Sequence, residues 1–226
     1  WEEKGLVPDM RMEPGDETER LYRERGWTHW HHLFNPRQLL LGTLINRESD
    51  ARLKFGLTQV LNMSCRISRV DNSPKGAGAT KGAFDNQALN TLFNYGCRAS
   101  EYALSAFDGS YKSYPISDSV IKVVNLPADA IRDYSDVFIT DPPYGDAVKY
   151  EEILEFFIAW LRKNPSPEFA NWVWDSRRAL AIQGEDEDFR RKMVAAYRRM
   201  TECMAEGGLQ VIMFTHQSGA IWADMA

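Results

Sequence analysis

Cysteine is scarce in this chain of 226 residues, and Cys65, Cys97 and Cys203 show no paired spacing. So few and so scattered thiols support neither a disulfide framework nor a four-cysteine zinc ribbon. No apolar run reaches the ~18 residues that a membrane-spanning helix needs. No basic-then-apolar leader opens the sequence either, so the expectation is a protein of the reducing cytoplasm with no membrane partner. A large excess of one charge is also missing: 27 Lys and Arg stand against 32 Asp and Glu, a net charge of −5. That total argues against non-specific coating of nucleic acid and leaves room for one local DNA-binding face. What is present is a globular composition, 44% hydrophobic and 26% charged, which rules out a disordered tail, a collagen-like repeat and a coiled-coil rod. The length suits one substantial α/β domain, or one with a helical appendage. Trp1 in first place and an end soon after a strand-like run raise the expectation of a piece of a longer protein.

Residues 1–26 read as a loose polar lead-in broken by Gly5, Pro8, Pro14 and Gly15, with one short helix around Glu17–Arg25. Residues 27–110 read as mostly helical. An aromatic and histidine cluster (Trp27, His29, Trp30, His31, His32, Phe34) precedes Asn35-Pro36, a cap and first-turn proline that start a helix running to about Arg47. A second helix is expected from Asp50 to about Arg66, with Leu53, Leu57, Val60, Leu61 and Ser64 on one stripe and Phe55 off it. Residues 71–83 form a basic, glycine-rich loop, and Ala99–Phe107 looks helical. From 111 to 226 the pattern changes. Val120–Val124 and Asp136–Thr140 are strand candidates, Glu151–Arg162 a largely buried helix, and Asp186–Glu206 an amphipathic helix stopped by Gly207-Gly208. Leu209–Thr215 reads as a buried strand. Short apolar strands alternating with helices predict a parallel sheet with helices packed on it.

The stretch that carries chemistry is Val137-Phe138-Ile139-Thr140-Asp141-Pro142-Pro143-Tyr144. Two successive prolines remove two backbone donors, so the strand must stop and the loop beyond it is stiff. Ligands of open α/β sheets bind at that carboxyl edge. A stiff loop there fixes the Asp141 carboxylate and the Pro142 carbonyl as two acceptors, with Tyr144 beside them. The set suits a planar base bearing an exocyclic amine: both amine hydrogens are accepted, and the ring stacks on Tyr144. Such a base must be flipped out of a duplex to arrive.

Asp141-Pro142-Pro143-Tyr144 resembles motif IV of the DNA amino-methyltransferases, in the form typical of adenine-N6 enzymes. Leu33–Leu40, Phe93-Asn94-Tyr95-Gly96-Cys97-Arg98 and Asp141–Trp160 together resemble the large adenine-specific DNA methylase-like proteins of prokaryotes. The resemblance implies an α/β, partial Rossmann-like methyltransferase fold with a helical N-terminal portion. It also implies S-adenosylmethionine as cofactor, DNA as partner, and a role in modification or restriction of foreign DNA. Asp141, Pro142, Pro143 and Tyr144 would be catalytic, with Asp141 and Asp129 on the cofactor side. The pattern departs in one respect: no glycine-rich Phe-x-Gly-x-Gly turn is present. The expectation is therefore an enzyme whose cofactor half, or a partner subunit supplying it, is not in this chain. The alternative is a methyltransferase-derived DNA-binding or assembly module without catalysis; methylation of RNA is a third reading.

Other features have plainer readings. Gly76-Ala77-Gly78 follows a helix and lacks the Gly-Lys-Ser/Thr ending of a phosphate loop, so it reads as a loop touching DNA backbone at most. Residues 37–81 carry eight Lys and Arg (37, 47, 52, 54, 66, 69, 75, 81) against three acids, either a backbone-facing surface or a solvated face. His29, His31 and His32 do not share a helical face and have no cysteine or carboxylate set to complete a shell, so no metal is expected. His216, Cys97, Trp160, Trp172 and Trp174 read as structural.

Overall fold

Helix α1 (Pro36–Asn46) begins where the Asn35 side chain accepts the amides of Arg37 and Gln38, each at 3.0 Å, while the Gln38 side chain accepts the Asn35 amide at 2.9 Å. This reciprocal box satisfies donors that a helix start leaves open. Helix α2 (Ala51–Met63) starts the same way from Asp50, which accepts the Arg52 and Leu53 amides. The computed structural model in which these elements are seen describes residues 5, 7–48, 50–70, 80–85, 106–107, 121–143, 149–184, 186–214 and 223. The expected loop at 71–83 and helix at Ala99–Phe107 fall mostly outside that set. Among the described residues, no helix is long and apolar enough to cross a membrane.

The structure is mixed α/β and divides into two units, residues 1–119 with 149–176, and residues 120–148 with 177–226. Helix α3 (Tyr150–Leu161), grouped with residues 111–226 in the sequence reading, belongs to the first unit. There Phe156 and Trp160 meet the aromatic cluster: Phe34 stacks on Phe156 with centroids 5.7 Å apart and meets Trp160 edge-on at 5.1 Å, and Trp30 meets Phe156 edge-on at 6.0 Å. Leu57, Leu61, Cys65 and Ile67 close this core. Gly42 lets α1 approach it, since a Cβ there would lie 2.7 Å from the Trp160 ring. The antiparallel pair β1 (Arg69–Val70) and β2 (Thr80–Lys81) follows α2.

The lead-in is not loose. Met10, Met12 and Leu21 are buried, Met12 donates to the Thr28 carbonyl at 2.8 Å, and Trp30 donates to that of Met10 at 3.3 Å. Isolated apolar residues among charges gave no helical period, yet they cover the aromatic core. The expected helix there is a single π turn, Arg20–Glu24. The buried Glu152 carboxylate holds this region, accepting the amides of Asp16 and Glu17 at 3.0 and 2.9 Å.

In the second unit, β3 (Ser135–Thr140) pairs in parallel with β4 (Met204–Ile212), and helix α4 (Asp186–Glu202) precedes β4. Three expectations are corrected here. Residues 121–124 form no strand; among the described residues nothing pairs with this β-branched run. Helix α4 ends at Glu202 rather than Glu206: the Cys203 amide turns back to Arg199 and Met200, and the Cys203 carbonyl accepts the Ser135 amide at 3.0 Å. Gly207 and Gly208 therefore lie inside β4, in a register shift between Ser135↔Met204 and Val137↔Leu209. Finally, Leu209, Val211 and Ile212 are exposed rather than buried. One face of the pair, Phe138, Thr140 and Gln210, turns toward α4; Val137, Ile139, Leu209 and Val211 line the other, Ile139 being 66% exposed.

Lys54 is 5% exposed, and its ammonium donates to the Asn46 carbonyl and, at 2.9 Å, to the Asn46 side-chain oxygen. Burial outweighs the field of Glu48 and pulls its pKa from 10.5 down to about 8. Between those two values the unfolded chain binds more protons than the folded one, so stability rises with pH across that window. The urea midpoint of the wild type minus that of Lys54→Met should climb from about pH 7.5 to about pH 10. A flat difference would contradict a desolvated ammonium.

Candidate functional site

Parallel strands bring both carboxyl ends to one edge, and here that edge carries the proline pair. Thr140 stands opposite Ile212, and the Met213 amide donates to the Thr140 carbonyl at 2.8 Å. Prolines have no amide hydrogen, so the ladder cannot continue along residues 142 and 143. Pro142 is buried, Pro143 half-buried and Asp141 exposed. An exposed acid thus stands next to a buried proline. Tyr144 and His216 lie outside the described residues.

Tyr197 of α4 supports the corner from beneath. Burial raises its phenol pKa, and the Thr140 hydroxyl opposes that rise. Both hydroxyl oxygens are buried. One turn on, the Gln210 amide of β4 donates to Thr201 Oγ1 at 2.8 Å and to the Tyr197 carbonyl at 3.4 Å. These contacts tie α4 to the strand pair at the level of Phe138. Tyr197 carried no motif signal in the sequence; only its place on the inner face of an amphipathic helix could have suggested it.

Asp129 lies on a 3₁₀ turn, Ala128–Ala130, fixed by Arg199 Nε donating to the Ile131 carbonyl at 2.6 Å. It is exposed on the wall of a cavity of about 190 Å³ that includes Leu180, Ile182, Lys192 and Ala196. Asp141 does not line that cavity, so the two acids expected to share a cofactor are not brought together there.

In the first unit the histidines cluster, with His31 and His32 rings 4.5 Å apart and His29 about as near, at 5.3 and 5.5 Å. Their Nδ1 atoms meet protein groups: the Thr28 amide donates to His32 at 3.1 Å, His31 lies 2.6 Å from the Pro8 carbonyl, and His29 lies 2.9 Å from Thr28 Oγ1. Among the described residues, no group of three His, Cys, Asp or Glu could hold a metal ion. Trp160 is core, whereas Trp172 and Trp174 form a half-buried ladder with Phe169 at centroid spacings of 4.6 and 6.1 Å. Cys97 lies outside the described residues. The basic segment is thinner than its sequence suggests, because Lys54 is buried and Arg69 pairs with Asp85 at 2.6 Å. Arg37, Arg47 and Arg52 remain exposed.

No family model, curated protein or solved structure matches this chain.

The register shift in β4 holds the site at its base. A Cβ on Gly208 would lie 2.9 Å from both the Asp136 and Ala205 carbonyl oxygens and 2.4 Å from Met204 Cγ. Gly208→Ala should therefore destabilise the second unit by about 1–3 kcal/mol, the usual cost of overpacking. Hydrogen exchange at the Met213 amide should accelerate with it. Unchanged exchange there would show that the bulge does not set the register.

Proposed function

We propose that this chain forms the substrate-gripping half of an adenine-N6 DNA methyltransferase. The observation that carries the reading is an exposed carboxylate, Asp141, set by a buried proline at the carboxyl edge of a parallel strand pair. Parallel strands with α4 in the crossover are consistent with part of a Rossmann-like sheet.

In this reading the adenine is extruded from the duplex and enters the corner amine first. The Asp141 carboxylate accepts one N6 hydrogen and the Pro142 carbonyl accepts the other. Both bonds draw the nitrogen lone pair out of conjugation with the ring and make N6 more nucleophilic. The carboxylate also stabilises positive charge that develops on that nitrogen. Pro143 keeps the corner stiff, and Tyr144 offers a stacking face.

S-adenosylmethionine is the methyl donor that the resemblance implies, and the residues described do not fit the whole of it. The Asp129 cavity, about 190 Å³, falls below the ~300 Å³ at which ligand pockets begin. The sequence also has no glycine-rich turn to admit the methionine part. This chain's contribution is accordingly on the substrate side. The missing turn is also the observation that favours the second reading, a DNA-binding module without catalysis.

In the intact enzyme, Asp141→Ala should lower methyl transfer to adenine by about 10²–10³-fold, the scale of losing one preorganised electrostatic group. DNA affinity should change by less than about twofold, because phosphate contacts dominate it. Near-normal transfer by the variant would remove Asp141 from the chemistry. Calorimetric titration of S-adenosylmethionine separates the two readings: binding by the intact enzyme supports the methyltransferase, and none supports the module.

A further inference from the structure

The first unit holds a cavity of about 400 Å³ lined by Trp27, His31, His32, Phe34, Leu39 and Arg66 with neighbouring residues. Its volume falls in the range of small-ligand pockets. Two aromatic side chains, two imidazoles and a guanidinium line it, and no carboxylate is among the described lining residues. The Arg66 guanidinium lies 4.8 Å from the Trp27 ring centroid, and Arg25 lies 5.3 Å from the same ring.

Arg66 is held in place from two sides. Its Nη1 donates to the His32 carbonyl at 3.2 Å, and its amide donates to the Leu33 carbonyl at 2.7 Å. Little side-chain freedom is therefore left to lose when a ligand binds the guanidinium. His32 Nδ1 accepts the Thr28 amide, so the neutral ring carries its proton on Nε2 and is a donor there. The site thus presents a flat guanidinium backed by the buried Trp27 ring, with donors beside it, in a chain whose net charge of −5 would otherwise repel phosphate.

We propose that this cavity takes one nucleotide of a single-stranded nucleic acid. The base stacks on the Arg66 guanidinium, which covers the buried Trp27 ring, and the phosphate meets Arg66 and His32. Guanidinium planes and aromatic rings are the usual stacking platforms for unpaired bases, and arginine is the usual partner of phosphate. The proposal does not depend on methyl transfer, since no residue of the Asp141 corner takes part.

Fluorescence anisotropy with a labelled oligothymidylate of about 12 nucleotides tests it. Thymine has no amino group, so failure here leaves the adenine reading intact, and the reverse holds too. Arg66→Gln should raise Kd by about tenfold or more. It should also reduce the slope of log Kd against log salt by about 0.7, the share of one phosphate contact on a single strand. Arg66→Lys should keep the salt slope and still lose affinity, because charge is retained without the plane. Arg23→Gln, at an exposed arginine 3.3 Å from Glu19, should leave Kd within about twofold. Displacement by micromolar dTMP would identify a free nucleotide as the natural source of the same chemistry, and displacement only by longer strands a nucleic acid. Ultraviolet cross-linking of the wild type gives a readout independent of any variant, with adducts expected in residues 26–39 or at Arg66. An unchanged Kd in Arg66→Gln, or cross-links confined to other residues, would overturn the proposal.

Discussion

The hydrogen bond from the Met213 amide to the Thr140 carbonyl, the last of the parallel pair among the described residues, decides where Asp141 stands. One residue further the chain meets two prolines and has no amide hydrogen to donate to the ladder. The strand end, the carboxylate and the carboxyl edge are therefore placed by one event. Tyr197 behind Thr140 and the glycine bulge in β4 both serve that register, one by filling the space beneath the strand and the other by absorbing the extra residues of β4. A carboxylate on a flexible loop could accept the hydrogens of the proposed adenine amine as well, but it would have to be ordered each time. Here the backbone has already been fixed by folding.

The first unit solves a different problem. Its core is a set of aromatic rings from residues 27–34 and from α3, joined across more than a hundred positions of sequence. Rings alone pack adaptably, and buried polar ties make the arrangement specific. Asn46 donates to the Trp160 carbonyl at 2.6 Å and receives Lys54, so the ends of α1 and α3 and the first turn of α2 share one knot. Glu152 plays the same part for the lead-in, closing over Gly15, where a Cβ would lie 2.4 Å from its carboxylate. The cavity beside Trp27 inherits its stiffness from this frame, since Arg66 is bonded to residues 32 and 33 at the rim of the core.

Local signals in the sequence marked local structure well. Asn35-Pro36 with Gln38, and Asp50 before an apolar stripe, locate two helix starts because capping involves residues three apart. Phe55 fell off the stripe of α2 and is exposed, while Leu57, Val60 and Leu61 are buried. Asp141-Pro142-Pro143 marked a strand end because proline chemistry acts where it sits. What escaped depends on distant partners. Residues 121–124 have strand-like side chains and, among the described residues, no ladder to join. Gly207-Gly208 looked like a helix stop, and only the partner strand shows it to be a bulge. Lys54 counted toward a basic face, although its position inside the α2 stripe places it against Asn46. The Arg66–Trp27 stack joins residues 39 apart and left no pattern in either segment.

The central claim is that the proline-braced corner presents a carboxylate to the amino group of adenine. Its most direct test is the identity of the methylated product. Duplex DNA is incubated with the intact protein and isotopically labelled S-adenosylmethionine, digested to nucleosides and resolved by mass spectrometry. The account predicts label in N6-methyldeoxyadenosine alone. Label in deoxycytidine, or in no nucleoside at all, would contradict it.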